Sequence, residues 1–313
     1  MADYGPTAGR KEGRRLTAEF ILLTEDTFHA CYLVARWQEA FGDEPGCNGI
    51  ALRAAKPADE LLLARKAFHL QFAGQHTLVQ SAWSQLERLY PCLDDADRAM
   101  VSAFGVPPVL ADYERPEFLG SDVNGQDARE WLAKQCAGRP ELFILIFLDR
   151  ILEPWWIEMT RSRIINAHSA VLPGARGIFA IEQVSASRDL EHFRSSAGAT
   201  AHYVDAGVDT GPIILGERFA DPFGFDSIWD CKAHSFSLAF DILIRLGQQL
   251  IARSGIAPTG TTQDPATIGP QFRRANFTPE LRRQAASGYL EMRSAVQQRE
   301  DTRGEADDHD GHE

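Results

Sequence analysis

No stretch of this 313-residue sequence approaches the roughly 18 to 20 consecutive apolar residues that cross a bilayer. The positive charges near the start, MADYGPTAGRKEGRRL, lead into no apolar segment of the kind found in secretory signals. Cysteine is scarce. Cys31, Cys47, Cys92, Cys136 and Cys231 form no C-x-x-C pair and no zinc-ligand spacing, so reduced thiols and no metal are expected. Basic residues are outnumbered, 32 Lys plus Arg against 44 Asp plus Glu, for a net charge of -12. Affinity for nucleic acid comes mainly from neutralising phosphates, so nucleic acid is not an expected partner. These absences lead us to expect a cytoplasmic protein with neither a membrane nor a nucleic acid as partner.

What is present suits a folded chain with a sizeable core: 44% of residues are hydrophobic and 24% charged. Residues 1–15 read as a disordered lead-in. EFILLTED, Glu19 to Asp26, reads as a buried strand, and Asp26 or Thr27 can cap the helix that follows. NGIALR, Asn48 to Arg53, suggests a second strand, and residues 57–104 are mostly helical in pattern. Val106 to Tyr113 reads as an edge strand weakened by Pro107 and Pro108. A short helix is expected over Asp127 to Cys136. The unbroken apolar run Glu141 to Leu148 suits the centre of a parallel sheet covered on both faces. RIINAH, Arg163 to His168, is another short strand, and Ala199 to Gly207 and Gly211 to Phe219 are two more. The expected fold is α/β, a doubly wound, mainly parallel sheet. A helical C-terminal region (221–300) follows, with helices over Ser227 to Ala252 and Pro279 to Gln298, then a disordered acidic tail (301–313).

Polar residues at strand ends are where an open α/β sheet places its chemistry. Asn166 and His168 end one strand two residues apart, so they share a face. Asp209 lies in the glycine-flanked loop of VDAGVDTGPII. An amide donor, an imidazole and a carboxylate at one sheet edge suit acyl transfer to an amine. Negative charge develops on the carbonyl oxygen, and a proton must leave the attacking nitrogen. His168 taken alone reads equally well as a structural histidine.

The runs LDRILEPWW, RIINAHSAVLPGARG and GATAHYVDAGVDTGPII together resemble the folate-dependent formyltransferase family. The resemblance is dense from about Leu142 to Leu215. Its most specific part is Asn-x-His at a strand end, Leu-Pro with Arg-Gly shortly after, and Asp-x-Gly-x-Asp-Thr-Gly-Pro further on. It implies an N-formyltransferase that takes 10-formyltetrahydrofolate as co-substrate. In that reading residues 16–220 form the catalytic domain, with 57–104 as a helical insertion. Asn166 would donate to the formyl oxygen and His168 would stabilise the oxyanion. Asp209 would orient His168, by a hydrogen bond to its ring, and a water. The resemblance implies that main chain of two loops holds the pteridine: Arg150, Ile151 and Leu152, and Asp205, Ala206, Gly207 and Val208. His202 matches a histidine common at that position and is either a support for the site or a packing residue. Leu172, Pro173, Arg176 and Gly177 form the loop after the catalytic strand, with Pro173 and Gly177 as turn-shaping residues.

Two departures from the family pattern stand out, the first changing a turn and the second bearing on the acceptor. Many members have Pro after the histidine, where this chain has Ser169. TEDTFHA, after the first strand, lacks a glycine-rich turn to bring backbone amides to a phosphate, which speaks against glycinamide ribonucleotide. Residues 227–300 read as helix and loop rather than the β-barrel of the methionyl-tRNA enzymes. The expected partner is a small-molecule amine: a free amino acid, a carrier-bound aminoacyl group or an amino sugar. A homodimer is compatible with the sequence. The competing readings are a 10-formyltetrahydrofolate hydrolase, disfavoured by the short segment before Glu19, and a non-catalytic binding protein on the same fold.

Overall fold

The computed structural model describes residues 18–108 and 116–309. In chain order its elements are β1 (Phe20–Glu25), α1 (Phe28–Phe41), β2 (Gly49–Arg53), α2 (Asp59–Phe72), α3 (Gln80–Leu89) and α4 (Asp95–Phe104). Then come β3 (Glu117–Phe118), α5 (Gln126–Cys136), β4 (Phe143–Ile146), α6 (Pro154–Met159), β5 (Ile164–His168) and β6 (Arg176–Gly177). The rest are α7 (Ala180–Ser187), α8 (Leu190–Ser196), β7 (Gly198–Tyr203), β8 (Ile213–Arg218), α9 (Ile228–Ala252), β9 (Gln271–Phe272) and α10 (Pro279–His309).

Seven strands form one sheet in the order β3-β2-β1-β4-β5-β7-β8. Every pairing from β3 to β5 is parallel, whereas β5 with β7 and β7 with β8 are antiparallel. The expected α/β fold with a mainly parallel sheet is the observed one, and β4 sits at its middle. Alternation along the central strands explains their unbroken apolarity. Phe20, Leu22, Phe143 and Leu145 join the core under α1 and α9, while Ile21, Leu23, Ile144 and Ile146 join Trp131, Leu132 and Trp156 of α5 and α6. A third core, with Phe193, Ile228 and Tyr289, packs α7, α8 and α10 against the start of α9.

Residues 57–104 form the three helices α2, α3 and α4. Their Phe68, Leu86, Met100 and Val101 share the core of β1, α1 and α9. The edge strand expected at Val106 to Tyr113 is different. Val106 makes a single parallel bridge to Ala73, two prolines without N–H groups follow, and residues 109–115 lie outside the described residues; the edge strand is Glu117–Phe118. Neither candidate cap of α1 caps it. Asp26 takes both of its oxygens to Arg65 at 2.8 Å, and Thr27 Oγ1 contacts His29 Nε2 at 3.0 Å. The last helix runs to His309, past the expected stop at Gln298, so 301–309 are helical rather than disordered. Arg303, Glu305 and Ala306 of that stretch are good helix formers, set among the weaker Asp301, Thr302, Gly304, Asp307, Asp308 and His309. Residues 1–17 lie outside the described residues. Among the described residues no helix is long and apolar enough to cross a membrane.

Gly247 of α9 tests this packing. A Cβ there would stand 2.6 Å from Phe41 Cζ and 3.2 Å from Phe20 Cζ. The Phe41 ring is wedged edge-on against Phe20 and Trp37, at 5.0 and 4.8 Å between centroids, and cannot swing away. Helix propensity alone favours Gly247→Ala by about 1 kcal/mol. Overpacking costs about 1–3 kcal/mol and outweighs it. The variant should unfold at a lower urea midpoint with an unchanged slope; a higher midpoint would show that α9 sits more loosely than described.

Candidate active site

Asn166 pairs across the sheet with Ile146 on one side and His202 on the other, so the antiparallel switch at β5 and β7 puts these two side chains opposite each other. Asn166 Nδ2 stands 3.1 Å from His202 Nε2. His202 Nδ1 donates to the Tyr203 carbonyl at 2.8 Å, leaving Nε2 to face the amide and Asp209 Oδ1, the latter at 3.4 Å. His202 is 2% exposed and stands between Asn166 and Asp209 rather than packing elsewhere. Asn166 Oδ1 is buried and makes no hydrogen bond among the described residues.

Asp209 sits in the turn between β7 and β8 at a φ of 53°. The turn is locked from within: the Asp205 carboxylate accepts from Gly207 N at 3.0 Å and from Thr210 Oγ1 at 2.8 Å. Glycine is obligatory at Gly211, where a Cβ would meet the Tyr203 carbonyl at 1.8 Å. Gln263 Nε2 holds the Asp209 and Gly211 carbonyls at 2.9 and 2.8 Å. Arg176 clamps the same turn from β6, donating to the Val208 carbonyl at 3.0 Å. Beside it Gly177, at a φ of 90°, donates its N–H to Asp209 Oδ2 at 2.7 Å.

The expected hydrogen bond between His168 and Asp209 is not made. His168 Nε2 donates instead to the Ala175 carbonyl at 2.9 Å, and Nδ1 faces Asp209 Oδ2 at 3.8 Å. In its neutral form the ring therefore presents an Nδ1 lone pair to a carboxylate, a pairing that needs one proton to become attractive. Burial pushes the His168 pKa down, and the pull of Asp209 in the other direction does not offset it, so the neutral ring prevails at neutral pH. Burial alone would raise the Asp209 pKa, but His168, His202 and the Gly177 N–H outweigh it and hold the carboxyl well below the usual range. The site is a neutral base against a fixed anion. It can take up one proton at the moment negative charge develops next to it.

Asn166, His168 and Asp209 line a single cleft of about 750 Å³, within the usual range for small-molecule sites. Of the loop residues named for the pteridine, Arg150, Ile151, Leu152, Asp205, Gly207 and Val208 line it. Ala206 does not; it is exposed at the tip of the turn that Asp205 closes. The two-stranded sheet of β6 and β9 forms a further wall, so the connection after α9 folds back onto the site. Sequence reading missed Gln263, Lys232, Glu182, His29 and Asp94 of the surrounding structure. For Lys232 there was a signal: it stands in the stripe Ile228, Cys231, Ser235, Ala239 that α9 buries. Among the described residues no group of three His, Cys, Asp or Glu could hold a metal ion.

Residues 95–220 match the family model described as formyl transferase. Residues 95–220 of this chain are thus similar to that family, over less than half of its length. Similar proteins include the methionyl-tRNA formyltransferase of Microcystis aeruginosa, 29% identical over 139 residues that cover 44% of this chain and 41% of the relative. The trifunctional purine biosynthetic protein adenosine-3 of Drosophila pseudoobscura pseudoobscura is 39% identical over 111 residues, 36% of this chain and 7% of the relative. Among solved structures, a sugar N-formyltransferase from Shewanella sp FDAARGOS_354 superimposes with a TM-score of 0.48 at 12% identity, covering 87% of this chain and 88% of that one. The chain spans about half, or less, of the length of the curated relatives it matches. The formyl transferase match takes in Asn166, His168, His202 and Asp209, and it begins inside the helical stretch, at the start of α4.

The electrostatics of the domain have a direct readout. Nuclear magnetic resonance titration of His168 should give a midpoint below 6.5, because burial dominates. Asp209→Asn removes the carboxylate that raises it, so the midpoint should fall further. A midpoint above 6.5, or a rise in the variant, would contradict the described balance.

Proposed function

We propose that the chain transfers a formyl group from 10-formyltetrahydrofolate to the amine of a small molecule or of a carrier-bound amino acid. One observation carries this reading: an amide, a buried neutral imidazole and a part-buried ionised carboxylate meet in a cleft that is also lined by residues of two loops. Arg150 to Leu152 and Asp205 to Val208, with Ala206 turned outward, would hold the pteridine edge by backbone groups, and Leu152 supplies a buried apolar contact.

The residues then divide the work. Asn166 donates a side-chain N–H to the formyl oxygen as the amine nitrogen bonds to the formyl carbon and the C=O π electrons move to oxygen. The proton that leaves the amine reaches His168 Nδ1, directly or through a water oriented by Asp209. The resulting imidazolium is balanced by Asp209 and stands next to the oxyanion. When the intermediate collapses, the bond from formyl carbon to folate nitrogen breaks, and that nitrogen takes the proton back from His168. His202 keeps Asn166 and Asp209 in register throughout; it is a positioning residue. A small-molecule acceptor fits the net charge of -12, which disfavours nucleic acid.

Incubating the protein with 10-formyltetrahydrofolate and a panel of primary amines should give an acceptor heavier by one formyl group, seen by mass spectrometry. Asn166→Ala should lower the rate by about 10² to 10³ with folate affinity retained. Release of formate with no formylated amine, or no folate turnover at all, would contradict the proposal.

A further inference from the structure

The cleft has two chemically different walls. On the first, Arg53, Arg150 and Arg274 gather on Asp149, in the loop after β4 assigned to folate. Arg273, the remaining arginine lining the cleft among the described residues, adjoins Arg274 in sequence. The second wall is built by α4, α7 and α9 and carries carboxylates. Ser169, which stands where many formyltransferases have proline, accepts from Lys232 Nζ at 2.9 Å. Lys232 is 4% exposed, and its Nζ is 3.3 Å from Glu182 Oε2 and 4.9 Å from the Phe236 ring centre. Glu182 is 1% exposed and lines the cleft, yet its Oε2 makes no hydrogen bond, because the contact with Lys232 is an ion pair without hydrogen-bond alignment. Asp94 lines the same wall; burial first, then the Asp97 carboxylate and the charge of Glu182, push its pKa up. Asp97 is paired with His29 at 3.0 Å. With Asp97 matched to His29 and Glu182 to Lys232, the carboxylate of Asp94 has no cation of its own on this wall, and Glu182 has an oxygen without a donor.

A phosphate or carboxylate on the acceptor would meet repulsion there, and a neutral group would leave the half-buried Asp94 carboxylate, which among the described residues accepts only the Asp97 N–H at 3.0 Å, without a counterion. A cation balances that charge. We propose that this wall is the acceptor subsite and that it takes an amine carrying a second, ammonium group, received by the Asp94 carboxylate with the charge of Glu182 beside it, while the reacting amine points to Asn166, His168 and Asp209. Lys232, anchored by Ser169, fixes the Glu182 carboxylate in place. This inference rests on the formyl-transfer reading and names the acceptor class within it.

The test uses the full chain, 10-formyltetrahydrofolate and three acceptors of similar reach: putrescine, butylamine and phosphoethanolamine. Calorimetry with a non-reactive 10-formylfolate analogue runs in parallel. Putrescine should exceed the other two in kcat/KM by about tenfold or more, the scale of one charged hydrogen-bonded contact. Glu182→Gln and Asp94→Asn should each raise the KM for putrescine by about tenfold, with the loss falling on KM rather than kcat and the analogue bound as before. Glu182→Gln leaves a buried lysine without its anion, so Glu182→Gln/Lys232→Met, which removes both charges together, is measured alongside and should lose the preference for putrescine as well. Equal use of the three amines, a preference for phosphoethanolamine, no formylation of putrescine while the analogue binds, or an unchanged KM in the folded variants would each overturn the inference. Absence of analogue binding would instead overturn the formyl-transfer reading, and this inference with it.

Discussion

The carboxylate of Asp209 is kept ionised in a junction that is almost closed to water, and the rest of the site is arranged around that requirement. A buried charge without partners costs several kcal/mol. Here the partners arrive from separate parts of the chain: the Gly177 N–H from β6, His168 from β5 and His202 from β7. Gln263, from the connection after α9, fixes the backbone that puts Asp209 at a positive φ. The switch from parallel to antiparallel pairing at β5 and β7 matters for the same reason. It sets His202 opposite Asn166, so the amide and the carboxylate are coupled through one imidazole.

Much of the fold was legible because burial on both faces leaves an unbroken apolar run. Phe143 to Ile146 could be placed at the sheet centre for that reason alone. The pairing of Asn166 with His168 on one face followed from strand alternation, and the closed turn around Asp209 from its glycines. What was hidden depends on tertiary geometry. The ring of His168 is anchored by the Ala175 carbonyl, a backbone group that no pattern of side chains announces. The caps expected of Asp26 and Thr27 were lost to Arg65 and His29, partners distant or unforeseen. The acidic C-terminal segment was judged by its charge, while it continues α10 to His309 as an extension of a helix already formed.

The cleft also separates two kinds of charge. Arginines collect on Asp149 in the loop before α6, and on the other wall Glu182 pairs with the buried Lys232 while Asp94 lies at the start of α4. If the second wall takes the acceptor as proposed, this division would sort ligands by sign before any contact with the reacting atoms is made. Ser169, directly after β5, gives Lys232 an anchor through its hydroxyl.

The central claim is that His168 and Asp209 act as one unit, a base and the anion that balances it. A double-mutant cycle on turnover, with His168→Ala, Asp209→Ala and the pair, measures this directly. If the two share one step, either single change removes most of the rate and the double variant is little slower than the slower single. Losses that simply multiply, with each residue contributing independently, would contradict the account.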